Sequence, residues 1–292
     1  MSQDVLQEKK AIIENVLSDL LHAENPAHRT LYESMNYSLL AGGKRIRPAL
    51  FLLTLDALGA SPTGALTVAA AIECVHTYSL IHDDLPQMDN DDYRRGRLTN
   101  HKVFGAGMAT MAGDGLLTEA FRLISGEETI AAEQRCELIF ILAKAAGPSG
   151  MVGGQAIDIE SEGKRLSADE LRFMDACKTG CLLTAPVDMA AVLAEADAET
   201  KAALHDYALH LGILFQITDD LLDSTGDLQQ MGKEPGMDAA MHKSTYVTIL
   251  GKEKAEVLAE KEAKAALFSL SGFGAKAETL RELVSMILHR TK

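Results

Sequence analysis

Apolar residues recur at helical spacing along almost the whole of this chain, and no stretch alternates convincingly between apolar and polar residues as a half-buried strand does. Aromatic residues make up only 5% of the 292 residues, Trp is absent, and Ala, Leu, Ile and Met are abundant. This balance favours helices packed on helices over a β-sandwich. The spacing predicts helices over residues 3–22, 29–41, 44–58, 63–84, 106–124, 128–147, 168–194, 198–223, 254–268 and 275–290.

Breaks rich in Gly, Pro or Ser separate the predicted helices, and neither a repeat nor a linker divides the chain. We therefore expect one all-α domain over residues 1–292. Two connections, at residues 85–105 and 224–243, are longer than the others, and each follows a cluster of aspartates. Long loops beside a site are often functional, so both are candidate lids.

The charge balance limits the partners that the chain can have. With 28 basic and 42 acidic residues the net charge is −14, which argues against nucleic acid, because phosphate contacts need net positive faces. The four cysteines lack zinc spacing, and we interpret them as small core residues in a reducing compartment. We expect no signal peptide and no transmembrane segment, and hence a cytoplasmic protein.

One aspartate cluster lies near the end of a predicted helix. Asp219 and Asp223 are four residues apart, so their carboxylates share one helix face, and Gln216 lies on the same stripe. The end of a helix is where negative charge is least favourable. A solvated acidic face is the alternative interpretation, but the residues around the cluster are apolar.

The other aspartate cluster has a different spacing. Asp83 and Asp84 are followed by Asp89 six residues after the first, which would place it about 240° around a regular helix. Pro86 disfavours helical geometry at Leu85, so a terminated helix can return Asp89 to the side of Asp83. Two distant acidic clusters repel each other unless cations lie between them, and carboxylate oxygens suit Mg²⁺, which also binds substrate phosphates. The two clusters therefore predict a magnesium-dependent enzyme that acts on a diphosphate.

Basic residues supply candidate anion ligands. Lys44 and Arg47 stand at a predicted helix start, where cations oppose the helix dipole unless an anion binds there. Arg94 and Arg95 can offer planar forks to phosphate oxygens. His76 lies about two turns before the first aspartates, although a satisfied core histidine is the alternative interpretation.

Tyr78 and Ser79 precede Asp83 by five and four residues, one turn earlier on the same predicted helix, and Ser79 has the better angular alignment with Asp83.

Three segments resemble trans-prenyltransferases, the head-to-tail polyprenyl diphosphate synthases. They are GGKRIRP at residues 42–48, the stretch over residues 83–96, and FQITDDLLD at residues 215–223. These motifs follow the family order, and the resemblance runs from about residue 30 to about residue 250. Between the paired and final aspartates of the first cluster this chain has two extra residues, and in this it resembles the bacterial members of the family.

The resemblance implies an all-helical isoprenoid-synthase bundle around a deep central cavity, assembled as a homodimer. It implies condensation of isopentenyl diphosphate with dimethylallyl or geranyl diphosphate, with farnesyl diphosphate as the expected product. Geranylgeranyl or geranyl diphosphate synthesis is the alternative. At the depth of Tyr78 a tyrosine would limit an elongating prenyl chain, whereas Ser79 would allow it; Tyr78 is alternatively a helix-packing aromatic. The implied cofactor is Mg²⁺, as three ions with substrate bound, with Mn²⁺ as a second candidate.

The resemblance also implies roles for individual residues. The implied metal ligands are Asp83, Asp84, Asp89, Asp219 and Asp223. The implied ligands of the allylic diphosphate are Arg94, Lys178, Lys233 and Lys243. Those of isopentenyl diphosphate are Lys44, Arg47, His76 and Arg95, and the dipoles that face the reacting carbons are those of Thr179 and Gln216. The catalytic set comprises Asp83, Asp84, Asp89, Arg94, Lys178, Thr179, Gln216, Asp219 and Lys233.

The sequence departs from the family pattern at two positions. Asn90 stands where an aspartate is expected, and Met237 where many relatives have lysine. Neither has one of the roles named above, so they bear on affinity more than on activity.

Two other classes of protein remain as alternatives. A terpene cyclase also ionises diphosphates on helices, but its second metal motif mixes Asn, Ser and Glu, and it has no need of Lys44 and Arg47 for a second diphosphate. A non-catalytic regulatory subunit would typically have lost one aspartate cluster, and this chain keeps both.

Overall fold

The computed structural model describes residues 2–225 and 244–290, and helices dominate both ranges. The helices are α1 (Ser2–Ser18), α2 (Arg29–Leu39), α3 (Ile46–Leu58), α4 (Ala65–Asp83), α5 (Asn100–Phe104), α6 (Ala106–Gly126), α7 (Ala132–Ala146), α8 (Met151–Glu160), α9 (Ala168–Asp175), α10 (Cys181–Leu193), α11 (Ala198–Thr225), α12 (Tyr246–Leu250), α13 (Lys252–Ser269) and α14 (Glu278–Leu288). Short 3₁₀ turns occur at Pro26–His28 and Ala275–Ala277, and a π-helical turn at Ala176–Gly180. The predicted all-α class is confirmed.

The chain divides into two compact units. The first comprises residues 1–52 and 61–139, and the second residues 53–60 and 140–292. The expectation of one domain over residues 1–292 stays a prediction.

In the first unit, α4 is the central helix and is buried on nearly every face. Its sequence is apolar all round, which is typical of a core helix rather than of an amphipathic surface helix. Helices α1, α2 and α6 pack against it, and α6 lies along most of its length. Small residues permit this close approach: a Cβ on Gly113 of α6 would stand 2.2 Å from the His82 ring of α4. α4 therefore carries its C-terminal aspartates on a rigid support.

In the second unit, the long helix α11 has the same role. It packs against α10, α13 and α14. Leu211, Leu214 and Ile217 bury its inner face, and each such side chain contributes about 1.5–3 kcal/mol when fully buried. The hydroxyl of the buried Tyr207 donates to the backbone oxygen of Leu280 at 3.0 Å. α11 therefore reaches its aspartate cluster as an uninterrupted, well-packed helix.

Five features differ from the predicted elements. The long connection at residues 85–105 contains a two-stranded hairpin, β1 (Tyr93–Arg94) and β2 (Arg97–Leu98), as well as α5. Helices α8 and α12 were not predicted, and the predicted helix at residues 168–194 is interrupted by the π-helical turn. Gly105 and Gly251, both with φ of 84°, separate the short helices α5 and α12 from the long helices that follow.

Two described helical stretches, Ala132–Glu160 and Ala168–Leu193, are long and apolar enough to cross a membrane. This is a weak indication, because the core helix of a soluble protein passes the same test. The second stretch is mostly buried like a core helix, since 67% of its most apolar 18-residue segment is buried and α10 packs on α11. The expected absence of a transmembrane segment stays a prediction.

Candidate active site

The first aspartate cluster lies where α4 ends. The helix runs to Asp83 and stops before Pro86, as the proline position predicts. The chain then turns back, so that the backbone N–H of Asp89 donates to the backbone oxygen of Asp83 at 2.9 Å. Leu85 is buried at 3% exposure and anchors this turn. The turn returns Asp89 to the neighbourhood of Asp83, whereas a continuous helix would separate them.

Asp84, between these two, forms an ion pair with Arg94. The Arg94 Nε donates to both carboxylate oxygens at 2.7 and 2.8 Å, and its Nη2 lies 2.6 Å from Oδ1. Burial disfavours the charged guanidinium, but the hydrogen bond and charge of Asp84 outweigh it, so the pKa of Arg94 is raised. The predicted metal ligand and the predicted phosphate ligand therefore neutralise each other in this structure.

The hairpin after the cluster carries Arg95 at its turn. Arg95 and Gly96 both have left-handed backbones, with φ of 54° and 74°, as a two-residue type I′ turn requires. For a residue other than glycine this conformation costs roughly 1–2 kcal/mol. The Arg95 guanidinium reaches back and donates to the backbone oxygen of Gly42. The strained turn therefore holds Arg95 against the loop that contains Gly42 and Gly43.

Contacts with α2 and α5 hold this hairpin in place. The hydroxyl of Tyr37 donates to the backbone oxygen of Leu98 at 2.8 Å, and the Arg97 guanidinium lies 4.3 Å from the centre of the Tyr37 ring. Lys102 of α5 pairs with Asp92 at 2.7 Å. The segment predicted as a lid loop is therefore folded and anchored.

The loop between α2 and α3 has a shape that requires glycine. Gly43 has φ of 123°, and a Cβ there would lie 2.6 Å from the Arg95 Cζ. α3 begins at Ile46, two residues later than predicted, so Lys44 precedes the helix and is exposed, while Arg47 lies in the first turn. We call residues 42–47 the glycine loop.

His76 of α4 lies among arginines. Burial, followed by the charges of Arg47, Arg95, Arg94 and Arg45, holds the pKa of His76 well below its usual range. Its Nε2 lies 3.3 Å from the Arg47 Nη1. A guanidinium can only donate, so Nε2 accepts and the imidazole is neutral, with its proton on Nδ1. Four guanidinium groups near one neutral histidine supply donors that suit an anionic ligand, although Arg94 and Arg45 already pair with Asp84 and Glu73.

The two candidate chain-length residues are both buried on α4, with Tyr78 at 4% and Ser79 at 7% exposure. The Tyr78 ring meets the His82 ring edge-on at 5.6 Å, and burial together with the charge of Asp83 raises the pKa of Tyr78 to about 12. The Ser79 hydroxyl donates to the backbone oxygen of His76 at 2.9 Å. Their roles in chain length stay predictions.

The second aspartate cluster lies on the last turns of α11, as its spacing predicts. Arg290, beyond the end of α14, donates to the carboxylate of Asp219 and, at 2.9 Å, to the backbone oxygen of Phe215, whose ring it covers at 4.3 Å. Asp220 accepts the backbone N–H of Tyr246 at 2.7 Å. Sequence reasoning missed Arg290, because a lone arginine 71 positions away carries no local signal.

Lys178 and Thr179 lie in the π-helical turn between α9 and α10. Such turns are frequent at functional sites. The Lys178 Nζ donates to the carboxylate of Asp158 on α8 at 2.6 Å. A Cβ on Gly154 would stand 2.3 Å from the Lys178 backbone nitrogen, so only glycine allows α8 to come this close. Sequence reasoning missed Asp158, although an acidic residue after Gly153 and Gly154 in an apolar run is a usable signal.

The other predicted site residues lie on α11 or outside the described residues. Gln216 is partly buried on α11, one turn before Asp219, and Asp223 lies one turn after Asp219. Lys233, Met237 and Lys243, and nearly all of the second candidate lid, lie outside the described residues.

The described residues contain no group of three His, Cys, Asp or Glu side chains that could hold a metal ion. They provide instead two sets of carboxylates, each with a guanidinium already against it: Arg94 at Asp84 and Arg290 at Asp219. Donor sets made only of oxygen fit Mg²⁺, which takes one or two carboxylates and completes its shell with water and phosphate. The donor chemistry therefore fits the predicted metal.

Comparisons with known proteins agree with the motifs. The family model described as polyprenyl synthetase matches residues 28–286. The chain is 52% identical to farnesyl diphosphate synthase from Geobacillus stearothermophilus over 251 residues, which are 85% of this chain and 84% of the relative. It is 44% identical to farnesyl diphosphate synthase from Bacillus subtilis (strain 168) over 288 residues, which are 98% and 97% of the two chains.

A similar solved structure is the apo form of an FPP/GFPP synthase from Zymomonas mobilis. It matches with a TM-score of 0.89 at 36% identity over 98% of each chain. The predicted isoprenoid-synthase fold is thereby confirmed.

Proposed function

Because the chain belongs to the polyprenyl synthetase family, we propose that it is a trans-prenyltransferase that condenses isopentenyl diphosphate with dimethylallyl or geranyl diphosphate. The products are farnesyl diphosphate and free diphosphate. One observation supports this most strongly: Arg47, Arg95 and the neutral His76 converge beside the helix that ends in Asp83. A positive region next to a carboxylate cluster suits a diphosphate beside a metal-bound one.

The glycine loop and the hairpin form the proposed site for isopentenyl diphosphate. Its diphosphate is held by Lys44, Arg47, His76 and Arg95. The His76 Nε2 already accepts from Arg47, and its Nδ1 is buried and has no hydrogen-bond partner among the described residues. This site binds and orients the nucleophile, whose double bond must lie within about 3–3.5 Å of the carbon that it attacks.

The allylic diphosphate is proposed to bind through metal ions held by the residues of both aspartate clusters. Asp83, Asp84, Asp89, Asp219 and Asp223 would hold Mg²⁺, as three ions with substrate bound. Mg²⁺ supplies Lewis-acid stabilisation of the negative charge on the departing diphosphate. Arg94, Lys178, Lys233 and Lys243 neutralise the same oxygens. In the free enzyme Arg94 and Lys178 pair with Asp84 and Asp158, so binding requires each to share or exchange a carboxylate partner.

The proposed reaction needs no side-chain base. The allylic C–O bond breaks and its electron pair leaves with the diphosphate, giving an allylic cation. The double bond of isopentenyl diphosphate attacks that cation, a C–C bond forms, and the released diphosphate takes the proton that is then lost. Thr179 and Gln216 turn their oxygen dipoles toward the cation, and the site must exclude water, which would otherwise capture it.

One assay tests the function and separates the alternatives. The protein is incubated with Mg²⁺, labelled isopentenyl diphosphate and either dimethylallyl or geranyl diphosphate, and the product is sized. A labelled C15 product is expected. A terpene cyclase would leave the isopentenyl label unused, a regulatory subunit would leave all substrates unchanged, and a C10 or C20 product would indicate the geranyl or geranylgeranyl alternative.

Product length is proposed to depend on the floor formed by Tyr78. Its buried ring lies one turn below Asp83, where the tail of a C15 chain would end. Tyr78→Ala is expected to shift products beyond C15, as measured by chromatography of the dephosphorylated alcohols. An unchanged product from Tyr78→Ala would remove Tyr78 from this role.

We further propose that the protein is a cytoplasmic homodimer and that Mn²⁺ can replace Mg²⁺. Light scattering tests the dimer, cell fractionation tests the cytoplasmic location, and activity after exchange of the metal tests the use of Mn²⁺.

A further inference from the structure

A carboxylate is buried in the middle of α4, where no predicted role required one. Glu73 has no exposed surface, and the residues around it on the helix are alanines, Ile72, Cys74 and Val75. Burying an unpaired carboxylate costs several kcal/mol, so such a group persists only with a partner. Its partner is Arg45 of the glycine loop, whose Nη1 donates to Glu73 Oε1 at 2.6 Å.

Arg45 connects the glycine loop to three helices. Besides its bond to α4, its Nη2 donates to the backbone oxygen of Leu39 at the end of α2, at 2.7 Å, and its Nε lies 3.7 Å from the Glu14 carboxylate of α1. Arg45 is buried at 3% exposure, and its φ of 52° lies in the left-handed region. This conformation turns Arg45 into the core, while Lys44 before it is exposed.

Two contacts fasten the loop to one face of α4. Glu73 and His76 are three residues apart on the helix, so their side chains project from the same side. Arg45 bonds to the first and Arg47 to the second, at 2.6 and 3.3 Å. The backbone between the two arginines is therefore held at both ends.

We propose that Glu73 is a positioning residue for the reaction. Its buried carboxylate fixes Arg45, and Arg45 fixes the backbone of the glycine loop that presents Lys44 and Arg47 to isopentenyl diphosphate. Glu73 does not touch substrate. This inference rests on the proposed function, because it takes the glycine loop as the holder of that diphosphate.

The ion pair between Glu73 and Arg45 is poorly explained as a device for stability alone. Glu73 Oε2 and Arg45 Nε have no hydrogen-bond partner among the described residues, and the loop adopts an unfavourable backbone at Arg45. Buried ion pairs can often be replaced by apolar residues without loss of stability. An arrangement of this kind is better explained by the geometry that it imposes on the loop.

The test compares Glu73→Gln with wild type in steady-state kinetics, at a temperature at which unfolding experiments show both proteins to be folded. The amide keeps the shape but removes the charge that holds Arg45. We expect KM for isopentenyl diphosphate to rise about tenfold or more, since a hydrogen bond between charged groups is lost from the support of that site. KM for geranyl diphosphate and kcat should stay within about twofold of wild type.

Glu262→Gln is the matched control. Glu262 is also a buried carboxylate, at 3% exposure, and holds Arg172 at 2.8 Å and His210 at 2.6 Å in the second unit. This variant should lose stability as Glu73→Gln does, but keep the wild-type KM for isopentenyl diphosphate. Equal KM values for the two variants would overturn the positioning role, and so would a parallel change in the KM values of both substrates.

A double variant, Arg45→Met with Glu73→Met, covers the case in which Glu73→Gln fails to fold. The apolar pair should restore stability. If KM for isopentenyl diphosphate remains raised, positioning is supported; if it returns to the wild-type value, the pair is only structural. Should wild type itself make no product, the proposed function fails before any variant is compared.

Discussion

The two aspartate clusters, both proposed to hold Mg²⁺, lie in different structural settings. The first lies in a turn after α4, where Asp84 is buried at 3% exposure and bound by Arg94, with a strained hairpin and the glycine loop beside it. The second lies on the regular helix α11, where the Asp219 side chain is 45% exposed and meets Arg290.

The guanidinium pKa values of Arg94 and Arg290 are shifted in opposite directions at the two clusters. At Arg94 the pairing with Asp84 outweighs desolvation, and the pKa of the guanidinium is raised. At Arg290 desolvation outweighs the attraction of Asp219, and the pKa is lowered. The first pair therefore contributes to stability on balance, whereas the second holds a guanidinium that the site stabilises poorly. We infer that the first cluster serves structure and ligand binding together, and that the second serves ligand binding with little structural contribution.

The largest expected effect does not distinguish the clusters. Asp83→Ala and Asp219→Ala should each lower kcat by about 10²–10³-fold or more, because each removes a carboxylate that is proposed to hold the metal for the departing diphosphate. Initial rates with saturating substrates and Mg²⁺ measure this, and circular dichroism verifies the helical fold.

Asp206→Ala is the matched control for this measurement, since Asp206 is exposed on the same helix as Asp219. It should retain the wild-type rate. Near-wild-type turnover in either cluster variant would contradict the assignment of that cluster to the metal.

Stability should separate the clusters. Asp84→Asn leaves Arg94 without its main counter-charge in a buried position and should lower the free energy of unfolding by about 2–4 kcal/mol. Asp219→Asn should cost no more than about 1 kcal/mol, because the Asp219 carboxylate is 45% exposed and its attraction for Arg290 is screened by water, even though the Arg290 side chain is only 10% exposed. Arg290→Met should be close to neutral, since it removes the desolvated charge and keeps packing against Phe215. Urea unfolding followed by circular dichroism gives all three values, and equal losses for the two asparagine variants would remove the distinction.

The second cluster was the more predictable from sequence. The spacing of Asp219 and Asp223 defines a helix face, and helical periodicity is a local property that survives tertiary packing. The return of Asp89 also followed from a local cause, the backbone restriction before Pro86. Gly42 and Gly43 likewise indicated an irregular loop before the basic residues.

Features that depend on distant partners were not predicted. Strands of two residues, as in the hairpin at Tyr93–Leu98, are too short for an alternating pattern, and Arg95 replaces the glycine or asparagine that would signal its turn. The pairing of Asp219 with Arg290 joins positions 71 residues apart, and no local pattern encodes it. The π-helical turn at Ala176–Gly180 differs from an α-helix by one inserted residue, which the apolar periodicity does not reveal.

The smallest expected effect is a pH dependence of opposite sign in the two regions. His76, beside the glycine loop, has a folded pKa well below the ordinary value of about 6.5, so below that pH the unfolded chain binds a proton that the folded chain refuses. The free energy of unfolding should therefore fall as pH drops from about 7 to 5, by at most about 1.4 kcal/mol per pH unit. On α11, the hydrogen bond that the His205 Nδ1 donates to the Asp188 carboxylate raises the pKa of His205, so that stabilisation is present below about pH 6.5 and is lost as pH rises through the folded pKa. Since the His205 side chain is 47% exposed, its effect should be the smaller one.

Urea unfolding across this range should give a shallower acid slope for His76→Gln, whereas His205→Asn should keep the acid slope and lose only the weak alkaline one. An acid slope unchanged in His76→Gln would show that His76 is not held neutral by burial and the four arginines.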